Sequence, residues 1–263
     1  MNDTLPSGIG PQLAAACELI EHHLDGTLQA IHLFGSALDG GLMPRSDIDL
    51  LVTVREPLAD PVRRTLMTQL LLVSAPPGTA GPLRALEATV LVQREVVPWR
   101  YPPLRELQFG EWLRDELQAG HIPPREVDAD IAILLRKVLQ HSIALAGPPA
   151  ANCFDAVPDS DFRQALADTV AQWNGPDDWQ GDECNVVLAL ARIWFSAATG
   201  AIAPKHVAAA WALERLPTAR RQVLERAQSA YLGGASDDLA DLRTELAAFV
   251  RHARTTIEAR LRA

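Results

Sequence analysis

Cysteine is scarce: Cys17, Cys153 and Cys184 are the only three in 263 residues. Their odd number and wide scatter exclude both a disulfide framework and the paired spacing of a zinc site, so they read as reduced, structural thiols. Cations are outnumbered as well, with 24 Lys and Arg against 33 Asp and Glu and a formal charge of −9. Long phosphate backbones are poor partners for such a chain, because nucleic-acid affinity draws on clustered Lys and Arg; a small polycationic ligand suits it better. Long hydrophobic runs are missing too. Runs such as residues 131–135 and 70–73 fall far short of the roughly 20 apolar residues that cross a bilayer. Met1-Asn2-Asp3-Thr4 lacks the basic start and apolar stretch of a secretory leader, and a cytoplasmic protein without a membrane span is expected.

What is present is an ordinary globular composition, 48% hydrophobic and 22% charged, with enough length for one large domain or two small ones. The first half mixes periods. A helix is predicted over residues 11–23 and another over 59–72, with extended runs at 30–34, 48–54 and 84–92; Pro76-Pro77-Gly78 separates the last two of these elements. From about Val127 the strand signals vanish and apolar residues recur at helical spacing, as in Ile131-Leu134-Leu135-Val138 and Val187-Leu190-Ile193-Trp194. One helix is predicted over 127–146, ended by Gly147-Pro148-Pro149, and the second half reads as all helix. The expected fold is α+β: a domain with a mixed sheet over 1–157, then a helical bundle over 158–263.

The most informative segment is Leu33-Phe34-Gly35-Ser36, followed after ten residues by Asp47-Ile48-Asp49-Leu50. Side chains alternate along an extended strand, so Asp47 and Asp49 share one face while Ile48 and Leu50 share the other. Converging carboxylates repel, and a hard dication such as Mg²⁺ removes that penalty. Gly35 can bring its backbone close to a phosphate, and the Ser36 hydroxyl can donate to phosphate oxygens. Glu87 adds a third carboxylate from within the apolar run Ala85-Leu86-Glu87-Ala88-Thr89-Val90. If its strand lies beside that of Asp47, it can take a proton from an attacking hydroxyl. Without these coincidences, residues 36–47 read as a polar hairpin turning at Gly40-Gly41, with Glu87 on a solvated edge.

At these residues the sequence resembles the nucleotidyltransferase superfamily typified by DNA polymerase beta, whose signature is Gly-Ser followed by D-x-D on a strand and a later carboxylate. The likeness continues through Asp39-Gly40-Gly41-Leu42, Val97-Pro98-Trp99-Arg100-Tyr101-Pro102, Leu107-Gln108-Phe109-Gly110-Glu111-Trp112, Gly181-Asp182-Glu183, Ala191-Arg192-Ile193-Trp194 and Ile202-Ala203-Pro204-Lys205. All of these are similar to the aminoglycoside (3'')(9)-adenylyltransferases. The resemblance implies a nucleotidyltransferase domain and a helical domain with the active site in the cleft between them. It implies transfer of AMP from ATP to streptomycin and spectinomycin, with Asp47 and Asp49 holding magnesium and Glu87 as catalytic base. Ser36, Ser46, Asp130, Arg192, Lys205 and Tyr231 are implied at the nucleotide, and Trp112, Asp178, Asp182 and Asn185 at the drug. Some relatives carry histidine where this chain has Asn185.

Several of these residues also have plainer readings. Lys205 follows Pro204, a good first helical residue, and so sets a cation at a helix N-terminus, a position that disfavours it unless an anion binds there. Asp178 and Asp182 read as loop or helix-capping residues, and Trp112 as a core residue on an amphipathic helix over 109–117. Other acceptors, protein or RNA, and a non-catalytic nucleotide-binding module are the alternatives; the acidic composition disfavours RNA. No zipper or sheet-edge signal demands a dimer, and a monomer is expected.

Overall fold

The computed structural model describes residues 8–234 and 238–262; Met1-Asn2-Asp3-Thr4, read above as lacking a leader, lie outside them. The chain divides into two compact units, with the change at Val157 and Pro158. In chain order the first contains α1 (Gly10–His23), β1 (Leu28–Phe34), β2 (Ile48–Val54), α2 (Asp60–Leu70), β3 (Leu86–Val92), α3 (Gln93–Val96), β4 (Leu104–Arg105), β5 (Leu107–Phe109), α4 (Arg114–Gln118), β6 (Glu126–Val127), α5 (Asp130–Gln140), β7 (Ser142–Ala146) and α6 (Ala150–Cys153). Five strands form one mixed sheet in the order β5-β3-β2-β1-β7, and β4 pairs with β6 in a small ribbon. Within the sheet β2 and β3 are parallel; the other pairings are antiparallel.

The two faces of this sheet differ chemically, as period-2 alternation requires. Ile31, Leu33, Ile48, Leu50, Val52, Leu86, Ala88, Val90, Leu107 and Phe109 form one core with Leu13, Ala16 and Ile20 of α1 and Leu66, Met67 and Leu70 of α2. Each large aliphatic side chain so buried contributes about 1.5–3 kcal/mol. Asp49, Glu87 and Gln108 fall on the opposite face and are half-buried.

Two expectations are corrected here. The helix predicted over 127–146 stops at Gln140; residues 142–146 are instead β7, paired with β1 from Ile31 to Phe34. Ala and Leu in Ser-Ile-Ala-Leu-Ala read as helix formers, but the open edge of β1 supplies ladder hydrogen bonds that local propensity does not register. His141 is already extended, and Gly147, with φ +75°, turns the chain at the other end, where a Cβ would overlap the Gln29 carbonyl. The helix predicted over 109–117 is likewise a strand end, Phe109, followed by a 3₁₀ turn (Glu111–Leu113) and the short α4.

The second unit contains α7 (Asp159–Ala171), α8 (Glu183–Thr199), α9 (Lys205–Leu213), α10 (Arg221–Tyr231) and α11 (Arg243–Arg262). Helix α8 is the centre, packed against each of the other four. Val186, Val187, Leu188, Leu190, Ala191, Ile193 and Trp194 are all buried on it, the pattern of a helix covered on most sides. Trp194 packs edge-to-face on Trp211 and His252. Gly200, left-handed at φ 73°, ends the helix.

A buried ion pair ties α2 to the strand that leads into the polar face. Glu106 is fully buried, accepts from Arg63 Nη1 at 2.8 Å and from the Leu58 N–H at 3.1 Å, and lies 2.5 Å from Arg125. Glu106→Ala should lower unfolding free energy by about 3–5 kcal/mol, because it leaves the Arg63 guanidinium buried without its carboxylate. Chemical denaturation checks this, and a loss under about 1 kcal/mol would show the pair to be inert.

Candidate active site

The site begins at the end of β1. Gly35 has φ +77°, and a Cβ there would overlap the Asp49 carboxylate, so only glycine lets the chain turn against that carboxylate. The Leu38 and Asp39 N–H groups both donate to the Gly35 carbonyl, at 3.0 and 2.9 Å, which closes a 3₁₀ turn over Gly35–Ala37. Amides at the start of such a turn lack acceptors within it and are available to anions. Ser36 is half-buried in this turn. His141 Nδ1 lies 2.7 Å from Asp39 Oδ1 and so pins the turn to the start of β7.

The loop before β2 is equally fixed. Ser46 is only 7% exposed; its Oγ accepts from the Met43 N–H at 3.0 Å, and its own N–H donates to the Met43 carbonyl at 3.0 Å. Arg84 Nη1 donates to the Met43 and Ser46 carbonyls at 2.8 and 3.3 Å. The chain thus enters β2 with Asp47 half-buried, Ile48 buried, Asp49 half-buried and Leu50 buried, which puts the two aspartates on one face. Glu87 stands opposite Asp49 in the parallel β2–β3 register. Gln108 Nε2 donates to Glu87 Oε1 at 2.8 Å. Sequence reasoning did not single out Gln108; the signal was the alternation of a polar residue between Leu107 and Phe109, both buried.

Among the described residues, no group of three or more His, Cys, Asp or Glu side chains is arranged to hold a metal by itself. Magnesium does not require one, since it keeps several waters and is held by one or two carboxylates with substrate phosphates completing the shell. Asp47 and Asp49 offer such an all-oxygen pair, and glycine at 35 lets the backbone turn lie against the Asp49 carboxylate. The residues fit magnesium bound together with a polyphosphate.

The other predicted residues are distributed as follows. Asp130 is exposed and opens α5, its N–H donating to Asp128 Oδ1 at 2.9 Å. Trp112 is 60% exposed, not a core residue, and its indole lies over Gly110, where any Cβ would overlap the ring. In the second unit Asp182 is the residue before α8, but its carboxylate does not cap the helix; Oδ1 accepts from Asn185 Nδ2 at 2.7 Å. Asn185 Oδ1 accepts from Lys205 Nζ at 3.4 Å, and Lys205 lies over the Tyr231 ring at 5.6 Å. Lys205 is the first residue of α9, with Pro204 before it rather than within it. Asp182, Asn185, Lys205 and Tyr231 are therefore one linked group, and Arg192 lies two turns along α8 from Asn185. Asp178 is exposed and stands apart from this chain of contacts. Its Oδ2 accepts the Asn174 and Gly175 N–H groups at 2.6 and 2.8 Å, and these bonds hold its carboxyl below the usual carboxylate range.

A Gly-Ser turn against Asp49 of β2, with Asp47 just before that strand and Glu87 opposite Asp49 on β3, defines the class as a nucleotidyltransferase. Residues 18–95 match the nucleotidyltransferase domain, and residues 152–256 match the C-terminal domain of aminoglycoside adenylyltransferases. The chain is 51% identical to an aminoglycoside (3'')(9) adenylyltransferase of Escherichia coli over 98% of both chains. It is 36% identical to a spectinomycin 9-adenylyltransferase of Staphylococcus aureus over 99% of this chain and all of the relative. The solved spectinomycin adenyltransferase of Enterococcus faecialis, with ATP and spectinomycin, superposes with TM-score 0.88 at 30% identity, covering 94% of this chain and 98% of that one. This chain belongs to the aminoglycoside adenylyltransferase family.

Gly35→Ala combines a positive φ with an overlap on Asp49. It should reduce adenylyl transfer at least about 100-fold while lowering stability by only about 1–3 kcal/mol. Turnover and thermal melting measured on the same sample check this; retained turnover would mean that the approach of Gly35 to Asp49 is not used.

Proposed function

We propose that the chain transfers AMP from magnesium-bound ATP to the 3''-hydroxyl of streptomycin and the 9-hydroxyl of spectinomycin, releasing pyrophosphate and so conferring resistance. One observation carries this reading: Asp49 and Glu87 stand opposite each other in register beside the Gly35 turn, so a metal-binding carboxylate and a proton acceptor share one face. Glu87 accepts the proton of the drug hydroxyl, whose oxygen attacks the α-phosphorus as the bond to the pyrophosphate oxygen breaks. Asp47 and Asp49 hold magnesium, which when bound neutralises charge on the polyphosphate. The Gly35–Ala37 turn and Ser36 donate to phosphate oxygens, with Ser46 setting the loop that carries Asp47.

In the second unit, Arg192 and Lys205 are the cations for phosphate, with Tyr231 beside Lys205 and Asp130 of the first unit also assigned to the nucleotide. Lys205 at the start of α9 supports this assignment, because helix end and ammonium both stabilise an anion. Trp112, Asp178, Asp182 and Asn185 are assigned to the drug. An exposed indole and carboxylates suit the guanidinium groups of streptomycin. The odd, scattered set of three cysteines in the sequence is in keeping with action in the cytoplasm, and the chain is read as a monomer.

Pyrophosphate release from ATP and magnesium, with streptomycin, spectinomycin and kanamycin supplied separately, is the test. Release with the first two alone is expected; release with neither would overturn the reaction. Glu87→Gln should reduce turnover at least about 100-fold with nucleotide binding retained. Asp178→Ala and Asp182→Ala should weaken streptomycin turnover about tenfold or more while ATP binding changes little. Equal losses for both ligands would remove the assignment of these aspartates to the drug.

A further inference from the structure

The polar face contains a chain of hydrogen bonds that the reaction above does not use. Strand β5 pairs with β3 so that Gln108 faces Thr89, which makes Gln108 and Glu87 diagonal neighbours on one face. Gln108 Nε2 donates to Glu87 Oε1 at 2.8 Å, and Arg105 Nη1 donates to Gln108 Oε1 at 2.7 Å. Arg105 is itself paired with both Asp128 and Glu126, and its side chain is only 17% exposed. These contacts give the amide one orientation. Turned over, it would set its NH₂ group against a guanidinium and its carbonyl against a carboxylate, which are two repulsive contacts. Arg105 therefore determines that Glu87 receives a donor.

We propose that Gln108, oriented by Arg105, is a positioning residue for Glu87: it locks the carboxylate in one rotamer, so that the proton-accepting lone pairs keep one direction through turnover. A base held by a fixed partner loses no time in unproductive rotamers, and displacement of a reacting group by about 1 Å can cost 100-fold in rate. This inference deepens the site reading above and rests on it.

The test is steady-state kinetics of Gln108→Leu, Gln108→Glu, Arg105→Met and the Gln108→Leu/Arg105→Met double variant, with saturating ATP, magnesium and spectinomycin. Both Gln108 variants should lose about 10- to 100-fold in kcat, as is usual when a partner that orients a functional ligand is removed. The KM for ATP should stay within about twofold. Gln108→Glu keeps shape and the Arg105 contact but replaces the donor with a carboxylate that repels Glu87, and Gln108→Leu is the neutral control that removes the donor without adding charge. Arg105→Met should reduce kcat less, and should add nothing in the Gln108→Leu background, since both act through one bond. Full kcat in Gln108→Glu, or additive losses in the double variant, would overturn the relay.

A readout independent of turnover separates this proposal from the reaction it serves. The side-chain amide resonances of Gln108 should shift in both Glu87→Ala and Arg105→Met. If they shift while the wild-type chain adenylylates neither drug, the relay stands and the transfer reaction falls. Should the wild-type chain turn over while those resonances ignore both substitutions, the relay falls.

Discussion

Parallel pairing of β2 with β3 in a single register is the constraint on which the site depends. It sets Asp49 opposite Glu87, an arrangement that two carboxylates do not favour by themselves. Like charges 4 Å apart repel by about 4 kcal/mol at an effective dielectric near 20. What outweighs this lies on the other side of the sheet, where Ile48, Leu50, Val52, Val54, Leu86, Val90 and Val92 are almost wholly buried, each worth about 1.5–3 kcal/mol. A slip of one residue would turn both sets of side chains over, so the apolar face determines where the acids go. The position of the acidic face is thus a consequence of core packing. The glycine at 35 follows from the same constraint, because the β1–β2 pairing that brings Phe34 opposite Asp49 leaves no room for a side chain at the next position.

Legibility in the sequence tracked how local each cause is. Strand β2 and the shared face of Asp47 and Asp49 could be read directly, since alternation is a property of the strand alone. Strand β7 could not. Its residues favour a helix, and only the unpaired edge of β1, more than a hundred positions earlier in the chain, makes it extended. Strand β5 is three residues long, too short for periodicity to register, and Gln108 went unnoticed with it. Lys205 was marked by Pro204, but its link through Asn185 to Asp182 joins positions 20 apart on two helices, and no spacing rule connects those. Trp112 shows what composition misses when it is read without the resemblance. An indole near apolar neighbours reads as core, yet the turn after Gly110 leaves it 60% exposed.

The second unit solves an electrostatic problem of its own. A lysine at the first position of α9 opposes the helix dipole, and contacts around it hold it there. The Asn185 carbonyl is neutral and distant at 3.4 Å, and the Tyr231 ring at 5.6 Å provides a cation–π contact worth about 0.5–1 kcal/mol at an exposed site. Asp182 is reached only through the Asn185 amide. Through Asn185 the ammonium of Lys205 and the carboxylate of Asp182 are held in one hydrogen-bonded group.

Asp178 and Trp112 show how a residue can serve the fold and remain available for a ligand. The Gly175 and Asn174 amides both donate to one oxygen of Asp178, and with the charge of Arg254 they hold the carboxyl below the usual carboxylate range. A carboxylate held ionised in this way is a rigid acceptor for a cation, and it loses little entropy when one binds. Trp112 is comparable: its ring is seated over Gly110, yet most of its surface faces solvent, so the fold gains little from its hydrophobic area. An indole already immobilised and still exposed presents a stacking surface without an ordering cost. In both cases the local contacts hold the group in one place, as the drug-binding role proposed for it requires.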